Sequence, residues 1–225
     1  MTTPAAPLPS SPEADAARYA VLRRLAPSMR HHLVVNLQPI GMIYEVMDRR
    51  LRSPAPDLGQ VHDSAGKINS FAKAALAACI DVVGWLGPDE GAGISVPDAL
   101  RECSGLLATS LSFRGYALRT AAEPLVGQVR RSAIRHLLTA SILHCTDHAA
   151  PPAELMLAAR SDADAARVEL TMRPTEGDAV LVTEHNYRKI TWSDLEALAA
   201  VDGVQLARTE QGLVLRLPWL TASAA

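Results

Sequence analysis

The run Met29-Arg30-His31-His32-Leu33-Val34-Val35-Asn36-Leu37-Gln38-Pro39-Ile40 sets two imidazoles, a guanidinium and an amide close together along the chain. A solvent-facing imidazole nitrogen can attack phosphorus, hold the phosphoryl group and hand it on. A neighbouring arginine can stabilise the charge that such a group brings. Display of the ring depends on the helix that carries it. Apolar or small residues recur at Leu22, Ala26, Met29, Leu33, Leu37, Ile40, Tyr44, Met47 and Leu51, in steps of three and four. Those steps trace one stripe along an amphipathic helix. At about 100° per residue, His31 lies roughly 160° from Leu33, on the wet face. The alternative for His31 is an ordinary surface histidine, and for His32 a ring packed along the helix side.

Other residues with chemical potential are weaker candidates. His136, His144 and His148 are spaced by eight and four, with Asp147 adjacent. The i, i+4 spacing suits a metal, but buried or rim histidines are the favoured reading. No metal site is assigned. His62 and Asp63 are expected on a bundle surface, and His185-Asn186-Tyr187-Arg188-Lys189 reads as a polar loop. Trp85, Trp192 and Trp219 sit in apolar context and read as packing residues. Cys79, Cys103 and Cys145 are far apart and odd in number, without metal-ligand spacing, so reduced thiols are the simplest account.

The bulk composition narrows the class. With 225 residues, 48% apolar and 20% charged, the chain can build one large or two modest folded domains. Net charge is −2, so no basic field points to nucleic acid or to an anionic membrane. No run is expected to reach the ~20 apolar residues that span a bilayer. Residues 1–17 are rich in Pro, Ala and Ser and lack the basic start and apolar core of a signal peptide. They read as a flexible tail on a cytoplasmic protein.

The elements follow from periodicity and caps. A first helix is expected from Glu13 or Ala16 to Arg52, bent at Pro27 and Pro39. Ser53-Pro54-Ala55-Pro56-Asp57 breaks it. A second helix carries Leu58, Val61, Ala65, Ile68, Ala72, Ala75, Cys79, Val82 and Leu86 as a heptad seam. The short connection makes the two helices an antiparallel hairpin, and two hairpins pairing into a four-helix bundle would cover the seam, so a homodimer is expected. Gly87-Pro88-Asp89-Glu90-Gly91-Ala92-Gly93 is the clearest linker. Beyond it come a helix from Pro97 to Phe113 capped by Ser95, a strand at 116–120 and a helix from Leu125 to Asp147. Strands follow at 154–159 and 167–172 across Ser161-Asp162-Ala163-Asp164, with a short one at 179–183. A helix capped by Thr191 and Asp194 ends at Asp202-Gly203, and a hairpin joins Val204–Arg208 to Leu213–Leu217. The fold class is α+β, with domains at 18–87 and 94–220 and a helix-backed, mostly antiparallel sheet in the second.

A helical hairpin with a histidine on its first helix, followed by an α/β sandwich of this order, resembles the dimerisation and ATP-binding core of sensor histidine kinases. The likeness runs from about Tyr19 to Leu220. In that family the histidine is followed by an acidic residue and later by Asn or Thr. Here those positions hold His32 and Val35, with Asn36 beside the second. The acidic residue assists attack on ATP, so its replacement weakens the case for autophosphorylation.

The nucleotide site departs further from the pattern. The family's Asn-box helix resembles Ile134 to Asp147, and its two asparagines fall at Ala140 and His144. An imidazole is a poor substitute for the amide oxygen that would hold Mg²⁺. In place of Asp-x-Gly-x-Gly stands Arg173-Pro174-Thr175-Glu176-Gly177-Asp178, with a single glycine. Phosphate cradling needs several backbone N–H groups at close approach, so no useful ATP binding is expected.

An intact hairpin before an eroded ATP domain resembles the dimeric histidine phosphotransferases of phosphorelays. The resemblance implies a phosphoryl carrier at His31, supported by Arg30, His32 and Asn36, with Arg23 and Arg24 lending further positive charge. It implies a response-regulator receiver domain as partner, supplying aspartate and Mg²⁺, so this chain needs no cofactor of its own. The alternative is a non-catalytic kinase-like dimer that regulates a partner by binding.

Overall fold

The computed structural model describes residues 11–87, 91–177 and 187–220. The chain divides into two compact units. One holds the N-terminus through Leu25 together with everything from Asp89 onward; the other is Ala26–Pro88.

Helix α1 (Pro12–Leu51) runs through Pro27 and Pro39 and supplies residues to both units. Its start is capped by Ser11, whose hydroxyl accepts from the Ala14 N–H at 3.1 Å. Ala14, Ala17, Ala20, Val21 and Leu25 are buried, a spacing that lays one helical face onto the α/β unit. Residues 12–17 are therefore helix and not flexible tail, and the expected boundary at residue 18 is displaced to Leu25 (small alanines allow the close approach). Helix α2 (Leu58–Leu86) is capped by Asp57, whose carboxylate accepts from Gly59 and Gln60 N–H groups. At the loop end of the hairpin, Arg50 donates to the Ser64 hydroxyl at 3.3 Å.

The hairpin's inner seam differs from the stripes read along the sequence. On α1 the least exposed line is Met29, Leu33, Asn36, Ile40, Ile43 and Met47; on α2 it is Val61, Ser64, Ile68, Phe71, Ala75, Ala78, Val82 and Trp85. Both lines alternate steps of three and four, as a heptad seam requires. Leu37, Tyr44 and Leu51 on α1, and Leu58 and Leu86 on α2, face outward instead, with Leu76, Ile80 and Val83 exposed beside them. Each helix therefore carries two adjacent apolar stripes, and the sequence pattern merges them. This double stripe also makes α2 long and apolar enough, by length and composition, to cross a membrane, contrary to the expectation that no segment would be. Asp63, Lys67, Lys73 and Asp81 interrupt it.

In the α/β unit, strands β1 (Gly93–Ile94), β2 (Tyr116–Ala122), β3 (Val129–Arg130), β4 (Ala153–Asp162), β5 (Ala165–Pro174), β6 (Gln205–Thr209) and β7 (Gly212–Pro218) form two sheets. The larger runs β2-β4-β5-β7-β6, parallel only between β2 and β4. Helices α3 (Val96–Phe113), α4 (Arg131–His148) and α5 (Trp192–Asp202) complete the unit. Leu155, Leu157, Val168, Leu170, Leu213, Leu215 and Leu217 alternate inward to form the sheet side of the core. Ile134, Leu137, Leu138 and Ile142 of α4 are fully enclosed.

Two sequence expectations change here. The helix expected from Leu125 starts only at Arg131, because Gly127 takes φ +127° and Val129–Arg130 pairs with Gly93–Ile94 as a small antiparallel sheet. The turn between β4 and β5 places Ala163 at φ 49°. The strand expected at 179–183, and His185 and Asn186, lie outside the described residues.

The α5 cap is a full capping box: Thr191 Oγ1 accepts from Asp194 N, and Asp194 accepts from Thr191 N at 2.7 Å. Arg188 adds a bidentate pair at 2.7 and 3.0 Å. Burial pushes the Asp194 carboxyl pKa up, but bonds from Arg188 and Thr191 outweigh it and hold the group below the usual carboxylate range. A depressed folded-state pKa contributes stability above the unfolded value, near pH ~4, and loses it as pH falls through the folded value. Thr191→Ala should cost about 1 kcal/mol by urea unfolding. The gap between wild type and Asp194→Asn should shrink as pH drops from 6 to 3; a gap constant with pH would count against the charged cap.

Candidate functional site

His31 and His32 sit one after the other on α1, both exposed, with ring centroids 6.4 Å apart and planes tilted by 50°. The exposure follows from the seam: Met29, Leu33 and Asn36 turn inward, which leaves residues 30–32 on the outer surface. Arg30 is also exposed. The Asn36 amide donates to the His32 carbonyl at 2.8 Å, one turn back along its own helix. Its side chain is thus occupied in the helix and half-buried in the hairpin seam.

The α/β unit contains a second polar centre. The Asp147 side chain, 4% exposed, lies near the C-terminus of α4. Arg24 of α1 grips it through two bonds, Nη1 to Oδ2 at 2.7 Å and Nη2 to Oδ1 at 2.8 Å. Arg114 adds a contact to Oδ1 at 3.4 Å, and the Ile190 N–H donates to Oδ2 at 2.9 Å. Arg114 also donates to the Thr146 carbonyl, and the Tyr116 hydroxyl donates to the carbonyls of Thr146 and Ala149. Burial lowers the pKa of the Arg114 guanidinium, and the nearby Arg24 charge lowers it further, against the attraction of Asp147. Burial likewise pushes the Tyr116 phenol up. Arg23 and Arg24 each approach the Tyr187 ring, 5.8 Å from its centroid. Arg24 is thereby a structural clamp and not a free charge for a phosphoryl group.

The two positions aligned with the nucleotide asparagines have different surroundings. Ala140 is completely enclosed in the core of α4, with Thr139 and Ser141 beside it. His144 stands on the wall of a cavity of about 480 Å³ with His148, Thr191, Trp192 and Arg208. Its Nδ1 lies 2.7 Å from the Ile190 carbonyl. Burial lowers its pKa, while the carbonyl contact acts in the opposite sense. His136, by contrast, is buried, as expected for a core histidine. Burial also raises the thiols of Cys103, to about 12, and Cys145, to about 11, so both are held protonated. Past β5, Gly177 is the one described glycine in the 173–178 segment; a Cβ there would only touch Pro152 at 3.5 Å.

No protein-family model and no curated protein matches this sequence. Solved structures do. The histidine kinase AdeS of Acinetobacter baumannii is 9% identical, with a TM-score of 0.46 over 85% of this chain and 98% of its own. The fold is similar to that of histidine kinases. A histidine kinase from Burkholderia phymatum STM815 is 15% identical, with a TM-score of 0.42 over 93% of this chain and 98% of its own. A bacterial phosphotransferase is 14% identical, with a TM-score of 0.40 over 95% of this chain and all of its own. The likeness is one of fold.

The Arg24–Asp147 pair was invisible in the sequence, because 123 residues separate the partners and neither has a local motif. Arg24→Met should leave Asp147 short of its bidentate partner and destabilise the chain by about 3 kcal/mol in urea unfolding. A loss below about 0.5 kcal/mol would make it an ordinary surface ion pair.

Proposed function

We propose that this chain is a phosphorelay histidine phosphotransferase that carries a phosphoryl group on His31 and has no ATP-driven kinase activity. The observation that carries this reading is the exposure of His31, with Arg30 beside it, on the outer face of the first helix of a hairpin. In the transfer, an imidazole nitrogen attacks the phosphorus of an aspartyl phosphate on a receiver domain. The N–P bond forms as the P–O bond to the carboxylate breaks, and the reverse step delivers the group onward. Arg30 would stabilise the phosphoryl charge. Mg²⁺ and the aspartate come with the receiver, and the proposal requires no metal from this chain for transfer.

Absence of ATP chemistry is supported by the residues at the expected nucleotide positions. Ala140 presents a buried methyl group at the position that the resemblance aligns with one of the two asparagines. His144 presents an imidazole already committed to a backbone carbonyl. A homodimer is proposed on the second apolar stripe. Leu76, Ile80, Val83 and Leu86 are each more than 60% exposed in the single chain. Covering side chains of this size contributes about 1.5–3 kcal/mol apiece, enough to drive pairing of two hairpins. The docking face for a receiver would be the outer turns around His31 and the first half of α2. A non-catalytic dimer that regulates by occupancy is the competing reading.

Intact-mass analysis after incubation with phosphoramidate distinguishes the two. One acid-labile phosphoryl group on the wild type and none on His31→Ala is the expected result. Unmodified wild type, with transfer from a phosphorylated receiver also absent, would favour the occupancy model. For the assembly, Ile80→Asp places a charge on the outer stripe and leaves the hairpin seam intact. It should convert a dimer to a folded monomer by sedimentation equilibrium; an unchanged dimer would remove this stripe as the interface.

A further inference from the structure

The cavity beside α4 contains a feature that phosphoryl transfer does not use. His144 and His148 stand one helical turn apart, with ring centroids 4.4 Å from each other. Each ring is oriented by a backbone carbonyl at its Nδ1. His144 Nδ1 lies 2.7 Å from the Ile190 oxygen, and His148 Nδ1 lies 2.9 Å from the His144 oxygen. A carbonyl only accepts, so both Nδ1 atoms carry the proton, and each neutral ring is left with its lone pair on Nε2. Among the described residues no hydrogen bond to either Nε2 is present. A histidine whose Nδ1–H is tied to a carbonyl, with Nε2 free, is the arrangement that metal-binding imidazoles adopt. The i, i+4 spacing sets two such rings on one helical face.

We propose that His144 and His148 together bind a late first-row transition-metal ion, Zn²⁺ above all, through their two Nε2 atoms at the wall of this cavity.

The surroundings select the class of ion. Asp147, the nearest carboxylate in sequence, is fully engaged by Arg24, Arg114 and the Ile190 N–H. Among the described residues the cavity wall carries no carboxylate, and without such oxygen ligands the hard cations Mg²⁺ and Ca²⁺ are poorly served. Imidazole nitrogen suits Zn²⁺, Ni²⁺ and Cu²⁺. Among the described residues no cluster of three or more His, Cys, Asp or Glu side chains could hold a metal, so the described residues supply two ligands, His144 and His148. Arg208, stacked 4.3 Å from the Trp192 ring on the same cavity wall, sets a positive charge beside those positions. That charge favours an anion, such as chloride or a carboxylate, as the ligand that completes the shell. The site is independent of the phosphotransfer reading, since it uses neither His31 nor the hairpin.

The test is calorimetric titration of Zn²⁺ into the untagged full chain, with ¹H–¹⁵N imidazole spectra as a second readout. Expected are one saturable equivalent and selective shifts of the His144 and His148 Nε2 resonances. His148→Gln, at an exposed position, should keep the fold by circular dichroism and weaken binding about tenfold or more. A triple His31→Gln, His32→Gln, His62→Gln variant should bind like wild type. No saturable binding, equal affinity in His148→Gln, or loss confined to the triple variant would each overturn the proposal.

Discussion

A buried carboxylate cannot stay charged in a protein interior without partners, and Asp147 organises its surroundings on that account. Its oxygens receive two bonds from Arg24, one from Arg114 and one from the Ile190 N–H. Each partner comes from a different part of the chain. Arg24 fixes the start of α1, Arg114 lies just after α3, and Ile190 leads into the capped start of α5. The same Ile190 whose N–H meets Asp147 turns its carbonyl to His144. One ion pair therefore holds the N-terminal helix face, the end of α4 and the orientation of a cavity histidine in register.

The hairpin obeys a different constraint. Two helices of this length bury only one seam between them, yet both carry a second apolar stripe. That surplus is the basis of the proposed pairing with a second copy. It also explains the display of His31. Once seam and outer stripe have claimed the apolar residues, Arg30, His31 and His32 occupy the arc that remains in solvent.

In the proposed reading the α/β unit carries no nucleotide chemistry. Ala140 is a core residue, and the sequence at 173–178 holds a single glycine. Among the described residues no hydrogen bond reaches the outer nitrogen of the His144 imidazole. In the proposed reading, the body once suited to a nucleotide now serves as a scaffold, with its remaining cavity open to a different ligand.

Periodicity and caps along the chain already determined most elements: both long helices, the Ser95 and Asp194 caps, the β4–β5 pair, the closing hairpin and the outward position of His31. These are local consequences of side-chain spacing and backbone hydrogen bonding, and they need no distant partner. Three things only the tertiary structure decided. The seam residues Asn36 and Ile43, in place of Leu37 and Tyr44, follow from which of two adjoining stripes meets the partner helix. The late start of α4 follows from the pairing of Val129–Arg130 with Gly93–Ile94, a long-range contact. The burial of Ala14 and Ala17, the Arg24–Asp147 clamp and the Ile190 carbonyl at His144 depend on groups brought together from far along the chain. A one-dimensional pattern records which faces are apolar, but the partner that covers each face, and the carbonyl that orients each imidazole, exist only once the chain has folded.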